Sequence, residues 1–336
     1  MIPLADIQPA SDWQSQLRDA ITSGEELLAR LHLDPDGIGF SPEASADFAL
    51  QVPQSFVARM RPGEPADPLL RQVLSHDLEM LPTPGYSDDP VGETGDAITH
   101  PGVIQKYQGR TLLLLAGACA INCRYCFRRH FPYHENRNSR QQWAEALNHI
   151  AADSSITEVI LSGGDPLLVT DRQLAKLVQQ LAEIPHLKRL RVHSRMPIVL
   201  PARVTAGLAN ALTATRLQAV MVVHSNHGNE VNGEVHEALQ KLAERKITLL
   251  NQAVLLAGIN DSVNALADLS ESLFSAGVLP YYLHLLDKVQ GAAHFDVSTQ
   301  RGIELIKALE RRLPGYLVPR LVREQAGEPA KVRIFA

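Results

Sequence analysis

The chain is predicted to adopt an α/β fold, a partial (β/α)6 barrel of TIM type. Three observations predict it. Beyond Arg110, short apolar and β-branched segments recur, after the first unit about every 30 residues, and each is followed by a stretch with helical spacing. The residues suited to chemistry cluster just after those apolar segments, where parallel α/β sheets bind their ligands. The expected strands are 111–116, 157–161, 190–193, 217–223, 247–255 and 278–283; the expected helices are 140–152, 171–181, 201–212, 233–244, 262–275 and 299–310. Six units fit an open barrel better than the eight of a closed one, with a doubly wound sheet as the alternative.

The first hundred residues follow a different rhythm. Residues 13–33 carry apolar positions spaced for one buried helical face, Pro53 precedes a short helical run over 54–60, and Asp67-Pro68 opens a third through Glu79. Residues 81–101, rich in Pro, Gly and Asp, read as a linker or wrapping loop. The expected division is a helical extension and linker at 1–100, a barrel at 101–313, and a C-terminal segment at 314–336. The extension offers no chemistry of its own.

The chain has 336 residues, with 37 acidic and 32 basic side chains and a net charge of -5. That balance argues against a broad nucleic-acid surface. No run approaches 18 apolar residues and the N-terminus has no secretory pattern, so a cytoplasmic protein without membrane contact is expected.

All three cysteines fall within eight positions, as Cys119-Ala-Ile-Asn-Cys123-Arg-Tyr-Cys126, directly after the first expected strand. Three thiolates at this spacing hold three irons of a [4Fe-4S] cube and leave the fourth open, for which S-adenosylmethionine is the expected partner. The competing reading is zinc, alone on the triplet or completed by His130, although structural zinc prefers four ligands in separated pairs. Gly117 allows a tight turn, and Tyr125 and Phe127 shield the loop or anchor it. Arg128 and Arg129 are either solvated charges or a guanidinium fork for a carboxylate.

Ser162-Gly163-Gly164-Asp165-Pro-Leu follows the second strand. Its glycines let backbone approach a ligand, and Asp165 is a candidate acceptor for the methionyl amine. His224-Ser-Asn-His227-Gly-Asn-Glu230 follows the fourth strand and could bind a single metal or tune a heterocyclic cofactor. Asp261 either caps a helix or faces a cationic substrate. Lys331, near the end of the sequence, reads by itself as a surface charge.

Taken in order, these motifs, with Asn251-Gln-Ala-Val-Leu-Leu-Ala-Gly-Ile-Asn-Asp261, Pro280-Tyr-Tyr and Gly315-Tyr-Leu-Val-Pro, resemble the lysine 2,3-aminomutase family of radical S-adenosylmethionine enzymes. They are most similar to its short bacterial branch, which makes (R)-β-lysine for elongation factor P. The likeness covers roughly residues 81–336. It implies a radical S-adenosylmethionine barrel and a second cofactor, pyridoxal 5'-phosphate, carried by Lys331. It further implies Arg128 for the substrate carboxylate, Asp261 and Glu324 for the ε-ammonium, His224 against the cofactor and Arg110 near its phosphate. Ser162, Gly163, Gly164 and Asp165 are implied for S-adenosylmethionine, and Cys119, Cys123 and Cys126 for the cluster. The implied partners are L-lysine, an electron donor such as flavodoxin, and elongation factor P with its β-lysine ligase; a homodimer is compatible with the resemblance.

The chain departs from the family pattern in three respects. Ala326-Gly-Glu-Pro-Ala330 replaces a glycine-rich run, Glu324 stands where the longer enzymes have aspartate, and their cysteine-rich zinc segment is missing. Two other functions stay open on the residues alone: a radical enzyme acting on another amino acid, or a zinc-stabilised binding protein. Paired carboxylates at Asp261 and Glu324 would repel glutamate's distal carboxylate.

Overall fold

The computed structural model describes residues 12–133 and 140–335, with backbone only at 96 and 140–142. Residues 1–11 of the expected extension and Ala336 lie outside the described residues. Among those described, ten strands form one sheet whose spatial order is their order in the chain. They are β1 (Ile98–His100), β2 (Val103–Tyr107), β3 (Arg110–Ala116), β4 (Glu158–Gly163), β5 (Arg189–Ser194), β6 (Gln218–Val223), β7 (Thr248–Val254), β8 (Leu279–His284), β9 (Arg320–Arg323) and β10 (Val332–Arg333). β3 to β9 run parallel, and antiparallel pairs flank them at both ends. A doubly wound sheet reverses its strand order part-way, and this one never does.

The sheet also curls. Lys106 on β2 reaches Glu324, just past β9, at 2.6 Å. Seven strand-to-strand steps of about 4.8 Å would hold them about 34 Å apart on a flat sheet. The curled sheet keeps two edges, β1 and β10, and is therefore an open barrel.

Helices α1 (Trp13–Arg18), α2 (Gly24–Arg30), α3 (Pro42–Asp47) and α4 (Gln54–Val57) precede the sheet. Around it lie α5 (Arg140–Ala152), α6 (Asp171–Ala182), the single turn α7 (Met196–Val199), α8 (Ala206–Thr213), α9 (Gly233–Glu244), α10 (Val263–Ser275) and α11 (Thr299–Glu310). Ordinary signals set their bounds. Thr170, Thr205, Asn232, Ser262 and Ser298 each accept a first-turn N–H from their own helix. Leu174, Leu177, Val178 and Leu181 give α6 one buried face. One core runs from Leu27, Phe56 and Leu69 into Leu113, Leu161 and Met221, so the N-terminal helices pack as part of the barrel.

Several expectations are corrected. The helix expected over 13–33 breaks at Ile21, which bridges to Val52, and restarts when Ser23 caps α2. The run from Asp67 to Glu79 is two 3-10 turns, because the Asp67 carboxylate takes the N–H groups of Leu69 and Leu70. The helix expected from 201 starts at Ala206, since Pro201–Arg203 forms its own turn and Thr205 makes the cap. β1, β2, β9 and β10 were not foreseen.

Candidate functional site

The cysteine loop leaves β3 and is held from one side by the N-terminal segment. Gln51 Nε2 donates to the Cys119 carbonyl at 3.1 Å, Asn122 N–H donates to Gln51 O at 3.0 Å, and Arg124 N–H donates to Gln72 O at 2.9 Å. The Arg124 side chain, fully buried between the second and third cysteines, pairs with Glu79 at 2.6 Å and also donates to Ala44 O and Phe48 O. The extension therefore does bear on the chemistry, contrary to expectation.

Gln72 sits at the centre of a buried polar network. Its Oε1 accepts from Arg195 Nη2, Asn226 Nδ2 and Tyr125 OH, while its Nε2 donates to Glu230. Arg195 Nη1 donates to Cys123 Sγ at 2.6 Å.

Burial and the charge of neighbouring thiolates push the Cys119 thiol well up and Cys126 to about 11. Three thiolates side by side thus need a cationic partner, which iron supplies, and the donor set fits a cluster with three cysteine ligands. Among the described residues no group of three or more His, Cys, Asp or Glu side chains is arranged to hold a metal ion directly. The site weighed at His224, His227 and Glu230 is disfavoured by the partners that His227 and Glu230 already have. Glu230 is already spent on Gln72, Arg195 and the N–H groups of Asn226 and His227, and His227 Nδ1 accepts the Asn229 N–H.

The turn after β4 lies backbone to backbone on the cysteine loop. Gly164 N–H donates to Ala116 O at 2.7 Å and Asp165 N–H to Ala118 O at 2.8 Å. Gly163 has φ +126°, and a Cβ on Gly164 would lie 2.1 Å from Ala118 O. The Asp165 carboxylate is not open to a ligand amine. It accepts from the N–H groups of Leu167, Arg195 and Met196 and from Ser194 Oγ, and so clamps the ends of β4 and β5 together.

Arg128 donates from Nη1 to Ser162 Oγ and Gly163 O, both at 3.0 Å, and grips both oxygens of Glu93 through Nε and Nη2. Glu324, past β9, accepts from Lys331 Nζ and Lys106 Nζ at 2.6 Å each, and from the Tyr107 hydroxyl. Burial alone would raise the Glu324 carboxyl, but the two lysines outweigh it and bring it down to about 2. Lys331 precedes β10, whose pairing with β9 sets its amine beside Glu324. Arg110 stacks on the Tyr107 ring at 4.6 Å, one side chain removed from Glu324.

The barrel interior beside Lys331 holds groups the sequence did not single out. Asp287 Oδ1, His193 Nε2 and His284 Nε2 are buried without hydrogen-bond partners. Burial lifts the Asp287 carboxyl to about 7 and drives the His193 and His284 rings well down; all three feel the charge of Lys331. His224, edge-on to His193, is lowered to about 4 by burial and by Arg195, Lys331 and Arg128. Orphaned polar atoms around one amine fit a polar cofactor carried by Lys331.

Asp261 is not among these groups. Its carboxylate accepts the Gly258 N–H at 3.1 Å, closing the turn after β7, and Ser262 rather than Asp261 caps α10. Asp287 stands where Asp261 was expected, and Leu285-Leu286-Asp287 after a strand is the signal that could have found it.

Residues 107–191 match the family model for a 4Fe-4S single cluster domain. The chain is 50% identical over 321 residues to L-lysine 2,3-aminomutase of Escherichia coli K12, covering 95% of this chain and 93% of that one. It is 49% identical to the Haemophilus influenzae protein of the same name, with 97% and 96% covered. Against the Clostridium subterminale protein, also an L-lysine 2,3-aminomutase, identity is 33%, with 97% and 78% covered. Solved structures are less alike: SuiB of Streptococcus suis with S-adenosylmethionine is 12% identical, covering 66% of this chain and 52% of that one at a TM-score of 0.47. Fold and site define an iron–sulfur enzyme on an open barrel. Within that class, the chain belongs to the L-lysine 2,3-aminomutase family.

Proposed function

We propose that this chain is a radical S-adenosylmethionine enzyme, also dependent on pyridoxal phosphate, that converts L-lysine to (R)-β-lysine. The observation that carries the reading is that one barrel joins a three-cysteine loop to a lysine–glutamate pair ringed by unpartnered buried groups, in a chain 50% identical to a named lysine aminomutase. When bound, the cluster with S-adenosylmethionine supplies a carbon radical that takes hydrogen from the substrate, and pyridoxal phosphate supplies the conjugation through which nitrogen moves between adjacent carbons.

The protein's share is alignment. Cys119, Cys123 and Cys126 hold the cluster, and the Ser162-Gly163-Gly164 turn sets its backbone beside it. Arg128 takes the lysine carboxylate, and Glu324 with Asp287 takes the ε-ammonium. Lys331 carries the pyridoxal group, with neutral His224 against it and Arg110 toward its phosphate. Fixing both ends of lysine places its Cβ, so misalignment costs rate more than affinity. On this reading the protein works in the cytoplasm, as a monomer or homodimer, with a donor such as flavodoxin for electrons. Elongation factor P receives the product through a separate ligase. In the described residues no helix is long and apolar enough to cross a membrane.

Anaerobic incubation with L-lysine, S-adenosylmethionine, pyridoxal phosphate and reductant, followed by chiral analysis, tests the reaction. (R)-β-lysine is expected; clean conversion of another amino acid without β-lysine overturns it. Borohydride reduction and peptide mass analysis should recover the pyridoxyl label on Lys331, and a label on Lys288 or Lys307 instead would refute that assignment.

A further inference from the structure

Both charged ends of the site are already paired within the protein. Glu93 holds Arg128 at 2.5 and 2.9 Å, and Lys106 holds Glu324 at 2.6 Å. Their side chains are 7–13% exposed, so none can be left unpaired cheaply. Glu93 and Lys106 also lie 3.9 Å apart, and Lys106 Nζ is tied at 3.1 Å to Val91 O on the segment that carries Glu93. A cavity of about 170 Å³ adjoins the pair, with Glu93 and Arg128 both in its wall.

Resting on the roles proposed above for Arg128 and Glu324, we propose that Glu93 and Lys106 are specificity residues that exchange partners when lysine binds. The substrate carboxylate displaces Glu93 from Arg128, and the substrate ε-ammonium displaces Lys106 from Glu324. The two displaced side chains, opposite in charge and already adjacent, pair with each other. Arg128, Glu93, Lys106 and Glu324 each then keep a partner before and after binding. A substrate with only one of the two end charges frees only one member and strands it. The exchange thereby selects for a molecule that carries a carboxylate and a distal ammonium together, beyond what Arg128 and Glu324 select singly. Lys331 also pairs with Glu324 when its amine is free; in the pyridoxal-loaded protein that amine is in the linkage, so Lys106 is the cation on Glu324 that an arriving ammonium meets.

The test is the dissociation constant of L-lysine, measured by equilibrium dialysis on cluster- and pyridoxal-loaded enzyme without reductant, so that no turnover occurs. Glu93→Gln removes the carboxylate that competes for Arg128 but also the partner that displaced Lys106 would take, so it should tighten L-norleucine, which leaves Lys106 in place, roughly 3- to 10-fold more than L-lysine. Lys106→Gln should be less favourable to lysine in the wild-type background, where it strands Glu93, than in the Glu93→Gln background, by a similar factor. With L-norleucine, which lacks the distal ammonium, this coupling should vanish. A residue that merely positions Arg128 weakens both ligands alike, so equal effects of Glu93→Gln on lysine and norleucine overturn the exchange, as does additivity of the two variants for lysine. Should Glu93→Gln fail to load iron, Glu93→Asp, which keeps the charge that receives Lys106 but shortens the reach to Arg128, must tighten lysine. Arg128→Lys separates the two levels. If it leaves lysine affinity unchanged, the assigned role of Arg128 fails and the exchange with it; if it weakens lysine while Glu93→Gln shifts lysine and norleucine alike, the exchange alone fails.

Discussion

A methyl group at position 164 would press into the backbone of the cysteine loop, 2.1 Å from Ala118 O and 2.8 Å from Ala118 N. No flexible side chain is there to yield, so Gly164→Ala should push the loop off the turn and cost about 1–3 kcal/mol. Iron bound per chain after reconstitution should fall well below that of Ser162→Ala, which loses a single bond to Arg128. Asp287 and Asp261 make a second contrast. Asp287→Asn should weaken lysine binding several-fold, while Asp261→Asn, altering an exposed turn, should leave it near wild type. A pH signature accompanies the first. Because the folded carboxyl is raised to about 7, its contribution to stability is present below the unfolded value near 4 and lost as pH rises toward 7. Asp287→Asn should therefore be stabilising by about 4 kcal/mol at pH 8, relative to its effect at pH 4, in urea melts. The cysteines were legible because their spacing alone carries the meaning. Asp287 was legible only as a carboxylate that follows a strand, since its environment comes from β2, β8 and the loop after β9, which a local pattern does not report.

At the level of elements, the cysteine loop owes its shape to segments 45 to 80 positions earlier in the chain. Glu79→Ala would leave buried Arg124 with carbonyl partners alone and should destabilise the apoprotein by about 3–5 kcal/mol, as breaking a buried ion pair does. A conservative Leu78→Ala beside it, at an exposed position, should cost far less, and chemical denaturation of the two variants checks this. The strands β3 to β8 were readable because helices cover the sheet and leave apolar runs: all of β4 is buried, Ser162 and Gly163 included. β9, Arg-Leu-Val-Arg, and the two-residue β10 were hidden by their brevity and flanking charge. β1 and β2 were hidden by a register irregularity and by Gln105 and Lys106, which interrupt the apolar pattern.

Across the whole molecule, closing the curled sheet encloses ionisable side chains from many strands. His193, His224 and His284 stay neutral inside it, each with its proton affinity depressed by burial first. A depressed folded value means that their stabilising contribution is full above the unfolded value near 6.5 and is lost as pH falls toward 4. The urea midpoint should thus drop between pH 7 and pH 5, and His224→Gln should flatten part of that drop. Asp287 pulls the other way over the same interval, so the Asp287→Asn background should show a steeper fall. Sequence alternation sufficed for the number of βα units but not for this enclosure, which depends on how far a ten-stranded sheet bends before Lys106 meets Glu324.

The hydrogen bonds from Ala49, Gln51, Gln72 and Glu79 to the cysteine loop have a consequence for repair. A loop shaped only by its metal collapses when oxygen strips the irons, and reloading must then wait for refolding. Here amides, a carboxylate and backbone carbonyls brace the loop through bonds that do not involve its metal ligands' sulfur atoms. For a damaged molecule whose thiols are reduced again, recovery is then expected to depend on delivery of iron and sulfide more than on refolding of the chain.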